Sequence, residues 1–201
     1  PGDVVLDVGA NVGVYAAFAA RLVEPGGRVY AFEPVRDTHD EMLVTLALNR
    51  CTDLVTPVMS AVGALDCPVT MNTFSDPEMA GWASMGTHPM RRYSGEVVHP
   101  TGRIRVDGVA LDSFCDGHDI ETVAFCKVDV EGFERDVFAG AVRMLTARRI
   151  GVLCFELSED PLTGEAGTPD GVLSELTTRG YEVFRTSAGG FVGPLDPVAE
   201  A

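Results

Sequence analysis

Near its start the chain carries Asp7-Val8-Gly9-Ala10-Asn11-Val12-Gly13, and 20 residues beyond Gly13 stands a second acid, Glu33, in Phe32-Glu33-Pro34. Glycines in such a run let the backbone turn tightly and approach a ligand closely. Where a helix begins beside them, its free N–H groups and positive dipole end add an attraction for polar ligand groups. A carboxylate at the distance of Glu33 is where nucleotide-binding βα units hold a ribose, and its two oxygens can accept from both hydroxyls. Farther on, Lys127-Val128-Asp129-Val130-Glu131-Gly132-Phe133-Glu134 sets Lys127, Asp129 and Glu131 at alternate positions. On an extended strand all three point to one side. Three ionisable groups on one face are costly unless they pair or line a cleft. Either Asp129 or Glu131 could remove a hydroxyl proton, with Lys127 keeping a carboxylate ionised, and Asp129 could also contact a cofactor. The bland alternative is an ion-pair cluster closing a strand-to-helix turn.

The glycine spacing discriminates between cofactors. The dinucleotide fingerprint is GxGxxG, and its second glycine lets a pyrophosphate meet the backbone. Here Asn11 occupies that position. With Asp7 acidic at the strand end, the loop better suits a phosphate-free cofactor carrying an ammonium that a carboxylate can attract. S-adenosylmethionine (SAM) is such a cofactor, with S-adenosylhomocysteine as its product. A nicotinamide-dependent oxidoreductase or epimerase and a degenerate, non-catalytic SAM-binding domain are the alternatives. Ser60-Ala61-Val62 is a place where an adenine edge could meet backbone groups, or a plain turn.

Less specific candidates surround these motifs. His88 and His99 fall in an irregular stretch suited to a lid that brings a base to substrate; a loop histidine can equally be just exposed. Met79, Trp82 and Met85 line a pocket or anchor that stretch. Asp129, Glu131 and Glu156 have oxygen ligands suited to a divalent metal, an alternative that is not favoured. No residue is assigned as a metal ligand.

The elements that must position these residues follow from periodicity. Strand-length apolar runs alternate with helical ones: Val4 to Leu6, a helix over 12–23, Val29 to Phe32, a helix over 36–50, then Leu54 to Val58. This is the pattern of βαβ units and a parallel sheet. Ser60 to Met71 is expected to be a strand pair turned at Leu65-Asp66. An excursion over about 72–102 lacks a period. Beyond it come a strand at Arg103 to Val106, a connection through Leu111-Asp112-Ser113-Phe114, and a strand from Val123 to Val130. A helix over 133–147, a strand from Gly151 to Leu157, a loop at 160–171 and a helix over 170–179 follow. Strands at Tyr181 to Arg185 and Gly190 to Val192 end the pattern. One domain spanning 1–201 is expected, with an N-terminal extension missing before Pro1.

Composition narrows the partners. The 201 residues are 46% hydrophobic and 22% charged, ordinary for a globular protein. Thirty acidic against 15 basic residues give a formal charge of −15, which disfavours nucleic acid and anionic membrane surfaces. No apolar run is long enough to span a bilayer. Five cysteines without zinc-like spacing fit a reducing cytoplasm. The expected partner is a small hydroxylated acceptor; homo-oligomerisation is left open.

With these residues in view, the chain resembles the FkbM family of SAM-dependent methyltransferases. The resemblance is carried by Asp7 to Tyr15, Phe32-Glu33-Pro34, Asn49, Ala61-Val62-Gly63, Leu111 to Phe114, Lys127 to Glu134 and Phe155-Glu156, in the family's order. The Lys127 to Glu134 segment is the more specific part. The resemblance implies a Rossmann-like class I methyltransferase: an α/β fold with a seven-stranded, mostly parallel sheet, an antiparallel last strand and helices on both faces. It also implies SAM as methyl donor and O-methylation of a sugar, glycolipid or polyketide-type hydroxyl. Asp7, Gly9, Asn11, Gly13, Tyr15, Glu33, Pro34, Ser60, Ala61 and Asp129 are then the expected cofactor-binding residues. Asp129, Glu131, Lys127 and His88 are the expected catalytic ones.

Overall fold

A computed structural model describes residues 1–75, 83, 90–91, 94–156, 169–185 and 196–197. Its first half is built as the apolar periodicity dictates. Strand β1 (Val4–Val8) leads to helix α1 (Val14–Val23), β2 (Arg28–Phe32), α2 (Arg36–Leu48) and β3 (Val55–Val58). Short strands follow: β4 (Ala61–Val62), β5 (Val69–Thr73), β6 (Met90–Arg91), β7 (Val97–Val98), β8 (Gly102–Val106) and β9 (Gly108–Val109). The second half comprises α3 (Leu111–Gly117), β10 (Val123–Val128), α4 (Glu134–Ala139), α5 (Val142–Thr146), β11 (Ile150–Phe155), α6 (Pro169–Thr178), β12 (Phe184–Arg185) and β13 (Asp196–Pro197).

The central sheet has the order β11-β10-β1-β2-β3, with every pairing parallel. The seven-stranded sheet with an antiparallel last strand is therefore corrected: among the described residues the sheet has five strands. The antiparallel pair β12–β13 forms a sheet of its own. The approach to β12 packs against the core by side chains instead, with Tyr181 Oη donating to the Ile150 carbonyl at 2.9 Å.

Strand alternation sorts the core into two layers. Leu6, Val8, Tyr30, Phe32, Cys126 and Val128 face one cluster, closed by residues of α3 to α6 such as Phe114, Phe138, Leu145 and Leu176. Val5, Val29 and Ala31 face the other, against Ala16, Ala17 and Ala20 of α1 and Met42 and Leu46 of α2. Removing a side chain such as Phe32 from water contributes about 1.5–3 kcal/mol. The chain leaves β1 in one direction through β2 and β3 and places β10 and β11 on the other side. The carboxyl ends of β1 and β10 thus lie at a topological switch point, where open α/β sheets hold their ligands.

Three local expectations fail for tertiary reasons. Ser60 to Met71 is not a hairpin: β4 pairs in parallel with β9, and β5 pairs antiparallel with β8. The proposed turn residue Asp66 instead accepts the Ala110 amide at 2.8 Å, tying this segment to one far along the chain. Leu111 to Phe114 is not a connection but the start of α3. The single helix over 133–147 breaks into α4 and α5 at Gly140, where a Cβ would stand 2.0 Å from the Gly63 carbonyl oxygen. Such an approach admits only glycine, and the Gly140 carbonyl accepts the Asp112 amide at 2.8 Å.

Asp112 has a structural role that its place in the sequence does not reveal. Its two carboxylate oxygens accept the amides of Arg143 (2.8 Å) and Met144 (3.0 Å), satisfying free donors at the start of α5. Asp112→Ala should cost about 1–2 kcal/mol of stability, measured by denaturant unfolding. An unchanged midpoint would remove this cap from the fold's supports.

Candidate active site

The loop after β1 is shaped by left-handed residues. Gly9, Asn11 and Gly13 have φ of 76°, 50° and 83°. Asparagine is among the few side chains that tolerate this region, so Asn11 turns the chain as a glycine would while adding a side chain. The glycines serve protein contacts as much as a ligand. A Cβ on Gly9 would lie 1.8 Å from the Asp129 carbonyl oxygen, and one on Gly13 would lie 2.7 Å from Met42 Cγ.

Glu33 closes the loop from the end of β2. One carboxylate oxygen accepts the Asn11 amide (3.1 Å) and the other the Val35 amide (2.9 Å). It is buried, and burial pushes its carboxyl up to about 7 from an ordinary 4.5, against the pull of those two amides. Each oxygen keeps a further lone pair for a ligand hydroxyl.

Asp7 and Lys127 are cross-strand neighbours on β1 and β10. Asp7 is 2% exposed, and neither of its oxygens meets a hydrogen-bond donor. The Lys127 ammonium stands 3.6 Å away and pairs with Asp129 at 3.1 Å. Burial raises the Asp7 carboxyl and the Lys127 charge opposes the rise. Lys127 also donates to the Gly9 carbonyl at 3.4 Å and lies 4.9 Å from the centre of the Tyr15 ring. Its ammonium therefore gathers β1, the glycine loop and the end of β10 around one charge.

Beyond β10 the strand does not run on to Val130. Asp129 N still donates to the Val8 carbonyl (3.0 Å), and then the chain turns, with Glu131 at φ 53° and Gly132 at φ 96°. Lys127 and Asp129 keep to one side as alternation demands, while Glu131 is presented by the turn. Burial raises the Glu131 carboxyl to about 7, helped by repulsion from Asp129, Glu156 and Glu134 and resisted by Lys127.

A cleft of about 240 Å³ opens at this switch point. Gly9, Asn11, Tyr15, Glu33, Pro34, Ser60, Ala61, Lys127, Asp129 and Glu131 all border it. Asp7 and Gly13 are not on its wall: Asp7 lies behind it with Lys127, and Gly13 is the residue preceding α1. Apolar wall residues that the motifs did not single out include Val62, Met71, Ala83 and Val130. Met71 is a buried residue of β5, so only knowledge of the β5–β8 pairing could have brought it here. His88, with Met79, Trp82, Met85 and residues 160–168 of the loop expected over 160–171, lies outside the described residues, as does the expected strand Gly190 to Val192, while 169–171 belong to α6. His99 is described and exposed, and it is not among the residues bordering the cleft. Among the described residues no three His, Cys, Asp or Glu side chains converge to hold a metal ion, so Asp129, Glu131 and Glu156 do not form a ligand set.

A model of the FkbM methyltransferase domain matches residues 7–183, spanning the glycine loop, the Lys127 to Glu134 segment and the approach to β12. The chain belongs to the FkbM family of SAM-dependent methyltransferases. Among relatives of this FkbM-family chain, the hexuronic acid methyltransferase AglP of Haloferax volcanii is 25% identical over 159 residues, covering 79% of the chain and 58% of AglP. Methyltransferase sdnD of Sordaria araneosa is 26% identical, covering 68% of the chain and 59% of sdnD. The chain thus spans under two thirds of these relatives' own length. The 31-O-demethyl-FK506 methyltransferase FkbM of Streptomyces tacrolimicus is 62% identical over 34 residues, 17% of the chain and 13% of that protein. A solved FkbM methyltransferase from Methylobacillus flagellatus KT gives a TM-score of 0.47 at 18% identity, covering 74% of this chain and 31% of that one.

Proposed function

We propose that this FkbM-family chain transfers a methyl group from SAM to a hydroxyl of a small molecule, of the sugar, glycolipid or polyketide kind. The observation that carries the proposal is a single cleft in which Glu33 offers a buried carboxylate beside the left-handed loop, while Asp129 and Glu131 stand at the same wall. Glu33 accepts the ribose hydroxyls with the lone pairs that its backbone bonds leave free. The Gly9 carbonyl, on the cleft wall, meets the end of the cofactor that bears an ammonium, and Asp7, buried behind that wall with Lys127, favours the positive charge through space rather than by contact. Ser60 and Ala61 border the adenine, and Tyr15 and Pro34 complete the cofactor's walls.

When bound, SAM supplies a methyl group made electrophilic by its sulfonium. The residues' task is to hold the acceptor oxygen in line behind that carbon and to take its proton. Glu131 is the base, because a carboxyl lifted to about 7 can be ionised near neutrality and still be basic enough to accept a proton. Asp129, engaged by Lys127 at 3.1 Å, orients rather than deprotonates. Chemistry that needs only oriented reactants and a carboxylate base has no step that requires a metal. His88 remains a second candidate base by its place in the sequence. The AglP relative, named for a hexuronic acid, supports an oxygen-rich acceptor.

Residues 1–201 are proposed to act as one methyltransferase domain. Among the described residues no helix is long and apolar enough to cross a membrane. The five cysteines are free thiols, in keeping with the reducing cytoplasm proposed as its location.

Calorimetric titration with SAM, S-adenosylhomocysteine and NAD tests the cofactor assignment. Micromolar binding of the first two and none of NAD is expected; NAD binding alone overturns it. Glu33→Gln should weaken S-adenosylhomocysteine about 10–100-fold, the worth of one or two bonds to a charged acceptor. The wild-type affinity should fall as pH drops below about 7, because protonating Glu33 removes an acceptor. An affinity in the variant equal to wild type would detach Glu33 from the cofactor.

A further inference from the structure

Glu134 is the acid of the Lys127 to Glu134 segment that the proposed chemistry leaves without a task. It opens α4, yet it is 4% exposed. Its Oε1 accepts the amide of Gly132 at 3.2 Å and that of Val130 at 3.4 Å. These are the amides two residues apart that bracket Glu131. Successive N–H groups around a left-handed residue form a concave anion-binding nest, and here the chain supplies the anion itself. The turn is fixed at its other end as well, by the Asp129 amide on the Val8 carbonyl and the Asp129 carbonyl pressed against Gly9. Between these two anchors stands Glu131, a non-glycine residue at φ 53° followed by Gly132 at φ 96°. Few L-residues hold that conformation unless their surroundings impose it.

We propose that Glu134 is a positioning residue whose carboxylate, seated in the nest of the Val130 and Gly132 amides, holds the left-handed turn that presents Glu131 to the cleft. This rests on the assignment of Glu131 as the base for its purpose, but not for its geometry. The burial of Glu134 follows: an exposed carboxylate would be free to leave the nest for water, whereas a buried one has these amides as its compensation. It also explains how a side chain beyond the end of β10 can sit on the same wall as Asp129 although the strand's alternation has stopped.

The test compares Glu134→Gln, which keeps an acceptor oxygen and loses the charge, with Glu134→Ala, which loses both. Amide hydrogen exchange at Val130 and Gly132, and the titration of the Glu131 carboxyl followed by carbon NMR, are read in wild type and both variants. In Glu134→Ala exchange at the two amides should rise about tenfold, the factor carried by one net hydrogen bond. The Glu131 midpoint should fall from about 7 toward 4.5 as the residue turns out to solvent. Glu134→Gln should keep both amides protected and lower the midpoint less, through lost repulsion alone. If Glu134→Ala fails to fold, Glu134→Asp replaces it, charged but one methylene too short to reach the nest, with the same expected losses. Wild-type protection and an unmoved Glu131 midpoint in the Ala or Asp variant would overturn the proposal. S-adenosylhomocysteine titration of the wild-type protein separates the two levels: no binding there defeats the functional assignment and leaves the exchange result to judge the turn.

Discussion

Gly9→Ala should lower stability by about 4 kcal/mol or more, among the largest effects a single added methyl can have. For a chain of this size that is a fall of roughly 8–16 °C in melting temperature, or failure to fold. Two causes add. The residue sits at φ 76°, where an L side chain is strained, and its new Cβ would lie 1.8 Å from the Asp129 carbonyl oxygen. Backbone cannot swing aside as a flexible side chain can, and this backbone is tied to β1 through the Asp129 amide on Val8. Whatever folded protein survives should bind S-adenosylhomocysteine poorly, because relieving the overlap pushes the loop away from the turn that carries Glu131. Thermal unfolding checks the first statement. A variant melting within two or three degrees of wild type would mean that loop and turn are not in contact.

Glu131→Gln should reduce methyl transfer about 10²–10⁴-fold, the usual worth of a positioned general base. Cofactor affinity should be nearly unchanged, since glutamine fills the same space. Wild-type rates should rise with pH and level off above about 7, as the carboxyl loses its proton, and this limb should vanish in the variant. The same titration acts on stability with a defined sign. Glu131 and Glu33 are both raised from 4.5 to about 7 in the folded chain, so the folded state holds protons that the unfolded state has released. Their contribution is favourable below about 4.5 and is lost as pH climbs through 7. Glu131→Gln should therefore flatten part of the decline in melting temperature between those limits. Radiolabelled methyl transfer to an acceptor found by screening hydroxylated compounds measures the rate effect. Undiminished turnover would return the role to Asp129 or His88.

What was legible in the sequence was what short-range periodicity encodes. The alternation in Val4 to Val8 and Val29 to Phe32 fixed which side chains meet α1 and α2 and which meet the later helices, and the parity of Lys127 and Asp129 correctly placed them together. What was illegible was set by partners distant along the chain. Nothing near Leu65-Asp66 announces that Asp66 will bind the Ala110 amide, or that β5 must wait for β8. Gly140 looks like an ordinary interruption of a helical pattern until Gly63 is packed against it. In the sequence Asn11 subtracts a glycine from the cofactor loop; in three dimensions it adopts the glycine's conformation at φ 50°. The cleft shows the same division. Its polar wall could be named from motifs, whereas Met71 and Ala83 arrive through tertiary structure alone.

Lys127 is shared between the two halves of the cleft: one ammonium serves the buried Asp7 on the loop side and Asp129 on the turn side. On the proposed function, a ligand cation entering the cleft beside Lys127 would repel its ammonium and change how firmly it grips Asp129, and an acceptor that engages Asp129 would change what Lys127 offers Asp7. Thermodynamic reciprocity then requires that whatever factor the cofactor imposes on acceptor affinity, the acceptor returns to the cofactor. On that proposal the two sites would be linked equilibria joined by a single charge, and spent cofactor, which keeps its ammonium, would hold the same linkage until it leaves.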